Sequence, residues 1–186
     1  GSASRPWRTI QKAAESVTAG AVVAVGPGVY NERVVIPSRA GGDAGAPTRF
    51  VADGKVVVAQ GFVVNSHHTV LDGFEVTPGS SCITDDQRTV GQVQVTGSHD
   101  TLTGLYIHDL ARGTGITIAP GATRTTIERC TISRPRQGGI GSTNDKCGPS
   151  YTTVRDCTIT KWAGEVGIDT VGDHWTIVPS FLRQAT

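Results

Sequence analysis

The sequence predicts an all-β fold of the solenoid class, in which short coils stack along one axis. The main observation is an internal repeat, because the pattern at residues 125–133 returns position by position at 69–77, 100–108 and 152–160. Neighbouring copies begin about 25 to 31 residues apart, a period typical of stacked coils. The composition agrees, since 24 glycines and an abundance of Val, Thr and Ile favour short strands and tight turns.

The charge balance argues against two classes of partner. The chain carries 17 Lys and Arg residues against 16 Asp and Glu residues. A nucleic-acid or anionic-membrane protein would need a clear basic excess. No apolar run approaches the length of a membrane span. We therefore expect neither nucleic acid nor a membrane among its partners.

Residues 9–19 form the one predicted helix, whose expected role is to plug the open end of the first coil. Thr9 can cap its start and Gly20 can end it. Its apolar residues recur at helical spacing and would face the coil: Ile10, Ala13, Ala14 and Val17. A buried strand is predicted to follow at 21–25.

Residues 9–37 resemble the N-terminal cap and first coil of a known superfamily. The resemblance rests on the helix start at 9–14, the strand at 21–25, the Pro-Gly-Val-Tyr-Asn-Glu motif at 27–32 and the Val-Val-Ile-Pro motif at 34–37. These segments are similar to those of right-handed parallel β-helix proteins, which include pectate lyases, other polysaccharide lyases, carbohydrate epimerases and pectin methylesterases. In that pattern, Tyr30 and Glu32 are structural and not catalytic.

The resemblance implies a right-handed, single-stranded parallel β-helix of about five to six coils. It would be one domain over residues 1–186, with the helix cap at 9–19 and coils at 21–178. The polysaccharide lyases of this superfamily cleave acidic polysaccharides by β-elimination at a uronate, and calcium often assists them. We therefore expect a secreted or cell-surface, carbohydrate-active protein with an acidic polysaccharide as its partner and Ca²⁺ as the one candidate cofactor.

Placing the repeats in register predicts two buried columns. Each coil is expected to have two strands, the repeated long strand and a short one such as 62–64, with a compact corner between them. The inward columns read Leu71, Leu102, Ile127, Val154 and Ile177, and beside them Phe74, Leu105, Cys130 and Cys157. Cys130 and Cys157 are expected to be stacked core thiols. Cys82 and Cys147 lie in polar loops and can be bridged in an oxidising compartment.

The polar columns of the repeats are predicted to be structural. Glu128 is expected to pair with Arg155, and Arg129 with Asp156, across adjacent coils. One corner position holds the side chains of His68, His99, Arg124, Tyr151 and His174 in successive coils. A solvated stack is expected there and not a metal site. The neighbouring residues 98–100 do not form a Ser-His-Asp triad, because consecutive strand residues point to opposite sides.

The candidate site lies where the long strands end. Pro78, Asp109, Arg134 and Lys161 occupy the column that follows the strands, and Arg112 and Arg136 lie in loops just beyond. The four cations Arg112, Arg134, Arg136 and Lys161 are called the basic edge below. In a nearly neutral protein this local excess suits an anionic ligand. The alternative is a solvated surface that Asp109 partly neutralises.

A lyase needs a base for the proton next to the uronate carboxylate and a cation for the charge that develops. The predicted catalytic residues are Lys161 as the base, Arg134 as the cation, and Tyr106 or His108 as the donor to the leaving oxygen. The predicted substrate-binding residues are Arg112, Arg136, Asp109 and Glu75. No metal-ligand set is predicted, because no three or four Asp residues share an outward patch.

Two alternatives to an enzyme stay open at this point. The chain can be a non-catalytic glycan-binding or structural module, or a fragment of a longer solenoid. The last coil is expected to be incomplete at 179–182, and a coil end exposes strand edges and core that proteins usually cover. Either Phe181 and Leu182 are expected to fold over this end, or self-association or a second chain covers it.

Overall fold

The computed structural model describes residues 1–2, 4–78, 92–142, 148–164 and 166–184. They form a parallel β-helix, in which three parallel sheets surround one continuous apolar core. The fold prediction is confirmed. The described residues contain one short α-helix and a 3₁₀ helix at Ser38–Ala40, and neither is long and apolar enough to cross a membrane.

Each sheet takes at most one strand from each coil, so strands adjacent in a sheet come from successive coils. The first sheet contains β1 (Val22–Val25), β4 (Thr48–Ala52), β7 (Thr69–Asp72), β10 (Thr101–Thr103), β13 (Thr126–Glu128), β16 (Thr153–Arg155) and β18 (Thr176–Ile177). The second contains β2 (Gly28–Tyr30), β5 (Val56–Ala59), β8 (Glu75–Thr77), β11 (Tyr106–His108), β14 (Thr131–Ser133), β17 (Thr158–Thr160) and β19 (Phe181–Arg183). The third contains β3 (Val34–Ile36), β6 (Phe62–Val64), β9 (Val93–Val95), β12 (Ile116–Ile118) and β15 (Ile140–Ser142).

The prediction of one long strand per coil was wrong, because that segment is two strands in two different sheets. A single residue in the left-handed backbone region turns the chain between them. This residue is Gly73, Gly104, Arg129 or Asp156, with φ of 80°, 62°, 52° and 53°. The apolar spacing of the sequence indicates this division into two strands. Leu102 and Leu105 both point inward although they are three residues apart, whereas inward-facing residues of an uninterrupted strand are two residues apart.

Both predicted ladders line the core, with one exception at the end of the solenoid. Leu71, Leu102, Ile127 and Val154 are fully buried, and so, within 1%, are Phe74, Leu105, Cys130 and Cys157. Ile177 was predicted to be buried but is 45% exposed, because β18 is the last strand of its sheet. Cys130 and Cys157 are free buried thiols, as predicted. The predicted pair of Cys82 and Cys147 lies outside the described residues.

A buried carboxylate joins the coils on the first sheet. Glu128 accepts a hydrogen bond from Nε of Arg155 at 2.8 Å, which confirms the predicted pair. The predicted pair of Arg129 with Asp156 was wrong, since the Arg129 guanidinium contacts Glu128 and the Thr103 hydroxyl. Burial alone would raise the pKa of Glu128, but the two guanidinium groups outweigh it and lower the pKa. This network of Glu128 with Arg129 and Arg155 therefore has a structural role.

The N-terminal helix α1 spans Ile10–Ser16 and is shorter than the predicted 9–19. It ends early because Val17 takes an extended conformation and its N–H bonds to Ala13. The Thr9 hydroxyl caps the start by accepting from the Lys12 N–H, as predicted. Glu32 adds a second cap, since its two oxygens accept from the Ile10 and Gln11 N–H groups at 2.8 and 3.0 Å. Glu32 thus fastens the helix to the first coil, in keeping with its predicted structural role.

We expect Glu32→Ala to lower the free energy of unfolding by about 1–3 kcal/mol, because two helix N–H groups lose their acceptor. Glu32→Gln should retain part of this stability, since its amide oxygen can still accept. The matched control is Glu15→Ala on the same helix, whose exposed side chain accepts one bond from Gln11. Urea unfolding measures all three variants. Equal losses for Glu32→Ala and Glu15→Ala would contradict the capping role.

Candidate functional site

The candidate site is built on the outward face of the second sheet. Tyr106 and His108 lie on β11, and Glu75 of β8 is the register partner of Tyr106. His108 contacts a carboxylate with each ring nitrogen: Nδ1 lies 2.8 Å from Asp109 Oδ2 and Nε2 lies 3.2 Å from Glu75 Oε1. A proton on either nitrogen therefore has an acceptor. Four residues of the predicted site, Tyr106, His108, Asp109 and Glu75, are brought together.

Three residues with a left-handed backbone conformation lie in a row where these strands end. Asp109, Arg134 and Lys161 have φ of 59°, 55° and 57°, and each directly follows a strand of the second sheet. Nε of Arg134 donates to Asp109 Oδ1 across adjacent coils. Arg134 and then His108 lower the pKa of Asp109, and Asp109 in turn raises the pKa of Arg134. Both groups are exposed and charged at neutral pH.

Lys55 belongs to this cluster and was not predicted. Its Nζ lies 3.2 Å from Glu75 Oε2. Burial would raise the pKa of Glu75, but hydrogen bonds from His108 and Lys55 outweigh it and lower the pKa. The signal in the sequence was faint, because the coil that contains β5 shows none of the repeat's polar pattern. Only the pairing of β5 with β8 places Lys55 beside Glu75.

Tyr106 forms an aromatic platform beside the charged cluster. Its ring stacks on His108 with centroids 4.3 Å apart and planes inclined by 20°. The tyrosine is 41% exposed. It therefore presents its outer surface to a ligand while its inner face holds the imidazole in place.

The remaining members of the basic edge lie beside this cluster. Arg112 and Arg136 line one surface cleft of about 390 Å³, together with Ala111, Gly113 and Gln137. Lys161 is exposed and occupies the column one coil beyond Arg134, since Ser133 pairs with Thr160. Arg183, which was not predicted, pairs with Thr160 and therefore lies in the column next to that of Lys161. Whether these residues bind a substrate stays a prediction.

The described residues do not fit the calcium ion that the resemblance implies. Among them, no group of three or more His, Cys, Asp or Glu side chains is arranged to hold a metal. The two nearest carboxylates, Glu75 and Asp109, already contact Lys55, His108 and Arg134. A cation at this point would have to displace those partners, so we assign it no step.

Comparison with known proteins identifies similar folds at low sequence identity. No family model and no curated protein matches the chain. A rhamnogalacturonan lyase is similar in structure, with a TM-score of 0.68 and 16% identity over 100% of this chain and 59% of that one. A PL6 family polysaccharide lyase from Pseudopedobacter saltans is similar with a TM-score of 0.70 and 18% identity, over 92% of this chain and 44% of that one. The chain thus spans about half the length of either structure, and the likeness establishes the fold.

Proposed function

We propose that this protein is a secreted, carbohydrate-active β-helix that binds an acidic polysaccharide along the basic edge and cleaves it by lyase-like β-elimination. One observation carries the proposal: Arg134 and Lys161 stand at equivalent corners of adjacent coils, beside the Tyr106–His108 stack. The two similar solved structures, both of polysaccharide lyases, support the choice of substrate class.

The spacing of the cations suits a linear polyanion. Equivalent residues of adjacent coils are separated by about 4.8 Å, the distance between neighbouring strands. Arg134 uses Nε for Asp109, and a guanidinium has two further NH₂ groups that can hold a carboxylate. Arg112 and Arg136 would meet the next charges of the chain in their cleft. Since these groups are exposed, added salt should weaken binding.

The proposed reaction assigns one role to each group. Lys161 takes the proton from the carbon next to the uronate carboxylate, whose developing charge Arg134 stabilises. A carbon–carbon double bond forms as the bond to the leaving sugar oxygen breaks, and that oxygen takes a proton. Tyr106 is the preferred donor, because both nitrogens of His108 already contact carboxylates.

Two observations favour a non-catalytic glycan-binding module as the second candidate. Lys161 is exposed, and a lysine usually acts as a base only when burial or nearby cations lower its pKa. Arg134 is also already paired with Asp109. Both features are compatible with binding an acidic glycan without cleaving it.

The test measures binding and cleavage of a panel of polyuronates by the parent protein and its variants. We expect the double variant Arg134→Ala, Lys161→Ala to bind at least about tenfold more weakly, because two charge contacts are lost. The single variant Lys161→Ala should retain most of the binding but release no unsaturated product. The matched control is Arg49→Ala, which removes a partly exposed, ion-paired arginine from the first sheet.

The outcomes separate the candidates. Unsaturated products from the parent and none from Lys161→Ala support the lyase. Binding by the parent without any unsaturated product replaces the lyase with the module. If the double variant binds as well as Arg49→Ala, the basic edge is only a solvated surface and the proposal fails.

A further inference from the structure

A second row of ionisable side chains lies on a different corner of the solenoid, where the chain enters the first sheet. Four of the five histidines of the protein are found there, at positions 67, 68, 99 and 174. Five residues occupy the same left-handed position in successive coils: His68, His99, Arg124, Tyr151 and His174, with φ between 51° and 62°. We call these five residues the histidine ladder.

The ladder contains two stacked pairs of planar side chains, with Arg124 between them. The rings of His68 and His99 lie 4.5 Å apart at 20°, and those of Tyr151 and His174 lie 4.6 Å apart at 16°. Arg124 sits 5.2 Å from the centroid of the Tyr151 ring, and its charge also acts on His99 of the preceding coil. Since the flat faces contact one another, the ladder presents ring edges, N–H groups and a hydroxyl to a ligand.

Protonation would add a positive charge to each of the three histidines of the ladder, beside the charge of Arg124. Histidine is the side chain that ordinarily changes charge between about pH 5 and 8. Burial lowers the pKa of His99, and the adjacent His68, Arg124 and His67 lower it further by charge repulsion. A bound polyanion would relieve that repulsion, so binding and proton uptake must favour each other.

Few carboxylates adjoin the ladder in the described part of the chain. Asp100 points into the core, where burial raises its pKa to about 8, so that it is mostly uncharged at acidic pH. Asp173 precedes His174 and is exposed. Asp43 lies in the loop whose Gly42 N–H bonds to the His67 carbonyl. Arg124 supplies a permanent positive charge at the centre of the row.

We infer that the histidine ladder is a second binding edge for acidic polysaccharide, separate from the basic edge, and that its binding strengthens at acidic pH. An acidic glycan fits better than single-stranded nucleic acid, which needs free aromatic faces for its bases. In this ladder neighbouring side chains cover those faces. The inference does not depend on the proposed lyase activity, because it involves none of the same residues.

The test uses dextran sulfate, whose charge does not change between pH 5.5 and 7.5. We expect the parent protein to bind it at least about tenfold more tightly at pH 5.5. In the variant His68→Asn, His99→Asn, most of this pH dependence should disappear, and asparagine tolerates the left-handed backbone. Arg124→Asn should weaken binding at both pH values, because the arginine is charged at either pH.

The control is the variant Arg134→Ala, Lys161→Ala, which should retain the parent's pH dependence. The inference is overturned if the parent binds equally at both pH values, or if the histidine variant keeps the parent's pH dependence. It is also overturned if a single-stranded oligonucleotide binds the ladder more tightly than dextran sulfate at pH 5.5. Loss of the pH dependence in the basic-edge control would also overturn the inference, because the pH-sensitive binding would then depend on Arg134 and Lys161.

Discussion

Ile127→Asp is expected to unfold the protein. Ile127 is fully buried at the centre of the first sheet, between Leu102 and Val154 of the adjacent coils. An aspartate there would bury an unpaired charge, which costs more than about 5 kcal/mol and is comparable with the whole stability of a typical domain. Circular dichroism and urea unfolding measure the loss.

The same column supplies the matched control. Ile177 has the equivalent position in β18 but is 45% exposed, so Ile177→Asp should change the free energy of unfolding by less than about 1 kcal/mol. If the aspartate variant does not fold, Ile127→Val tests the same position. That variant is expected to lower the free energy of unfolding by about 0.5–1.5 kcal/mol. Wild-type-like stability of Ile127→Asp would disprove the register of the coils.

Asp100→Asn is expected to make the protein more stable at pH 8.5 by roughly 3–5 kcal/mol, and slightly less stable at pH 4. Asp100 is completely buried, and burial raises its pKa to about 8. Its Oδ1 accepts from the Thr69 N–H at 2.8 Å, while Oδ2 has no hydrogen-bond partner among the described residues. Asparagine keeps that acceptor and cannot ionise.

The stability contributed by Asp100 falls as the pH rises. Its folded-state pKa lies above the unfolded value of about 3.9, so the folded protein holds a proton that the unfolded chain releases. The contribution of the protonated Asp100 is complete below about pH 4 and is lost as the pH rises towards 8. The parent should therefore lose up to about 1.4 kcal/mol per pH unit relative to Asp100→Asn in this window.

Urea unfolding at several pH values between 4 and 8.5 checks this prediction. The control is Thr125→Val, which alters the neighbouring buried position in the same inward column and removes a hydroxyl without a hydrogen-bond partner in the described part of the chain. That variant should keep the parent's pH slope because it removes no titratable group. Parallel curves for the parent and Asp100→Asn would show that Asp100 is ionised in the folded protein.

The repeat pattern is sufficient to predict which residues share a column. The apolar positions of successive coils must face the same core, so the repeat alone places Leu102, Ile127 and Val154 in register. The same alignment places His68 and His99 in one stack and Arg134 beside Lys161. It does not predict the exposure of Ile177, because a repeat specifies the inward direction and not whether another strand covers it.

The solenoid and its columns could be predicted from a pattern repeated at a fixed period, and the N-terminal helix from its local apolar spacing. The contacts of each polar column depend instead on the tertiary structure. It divided the long strand at Gly104 and Arg129, brought Lys55 to Glu75, and placed His108 between two carboxylates. The burial of Asp100 also depends on the tertiary structure. The contacts of Glu75 with Lys55 and His108 join residues from different coils. The reach of a side chain across coils depends on the turn angle at each corner, which no repeat pattern specifies.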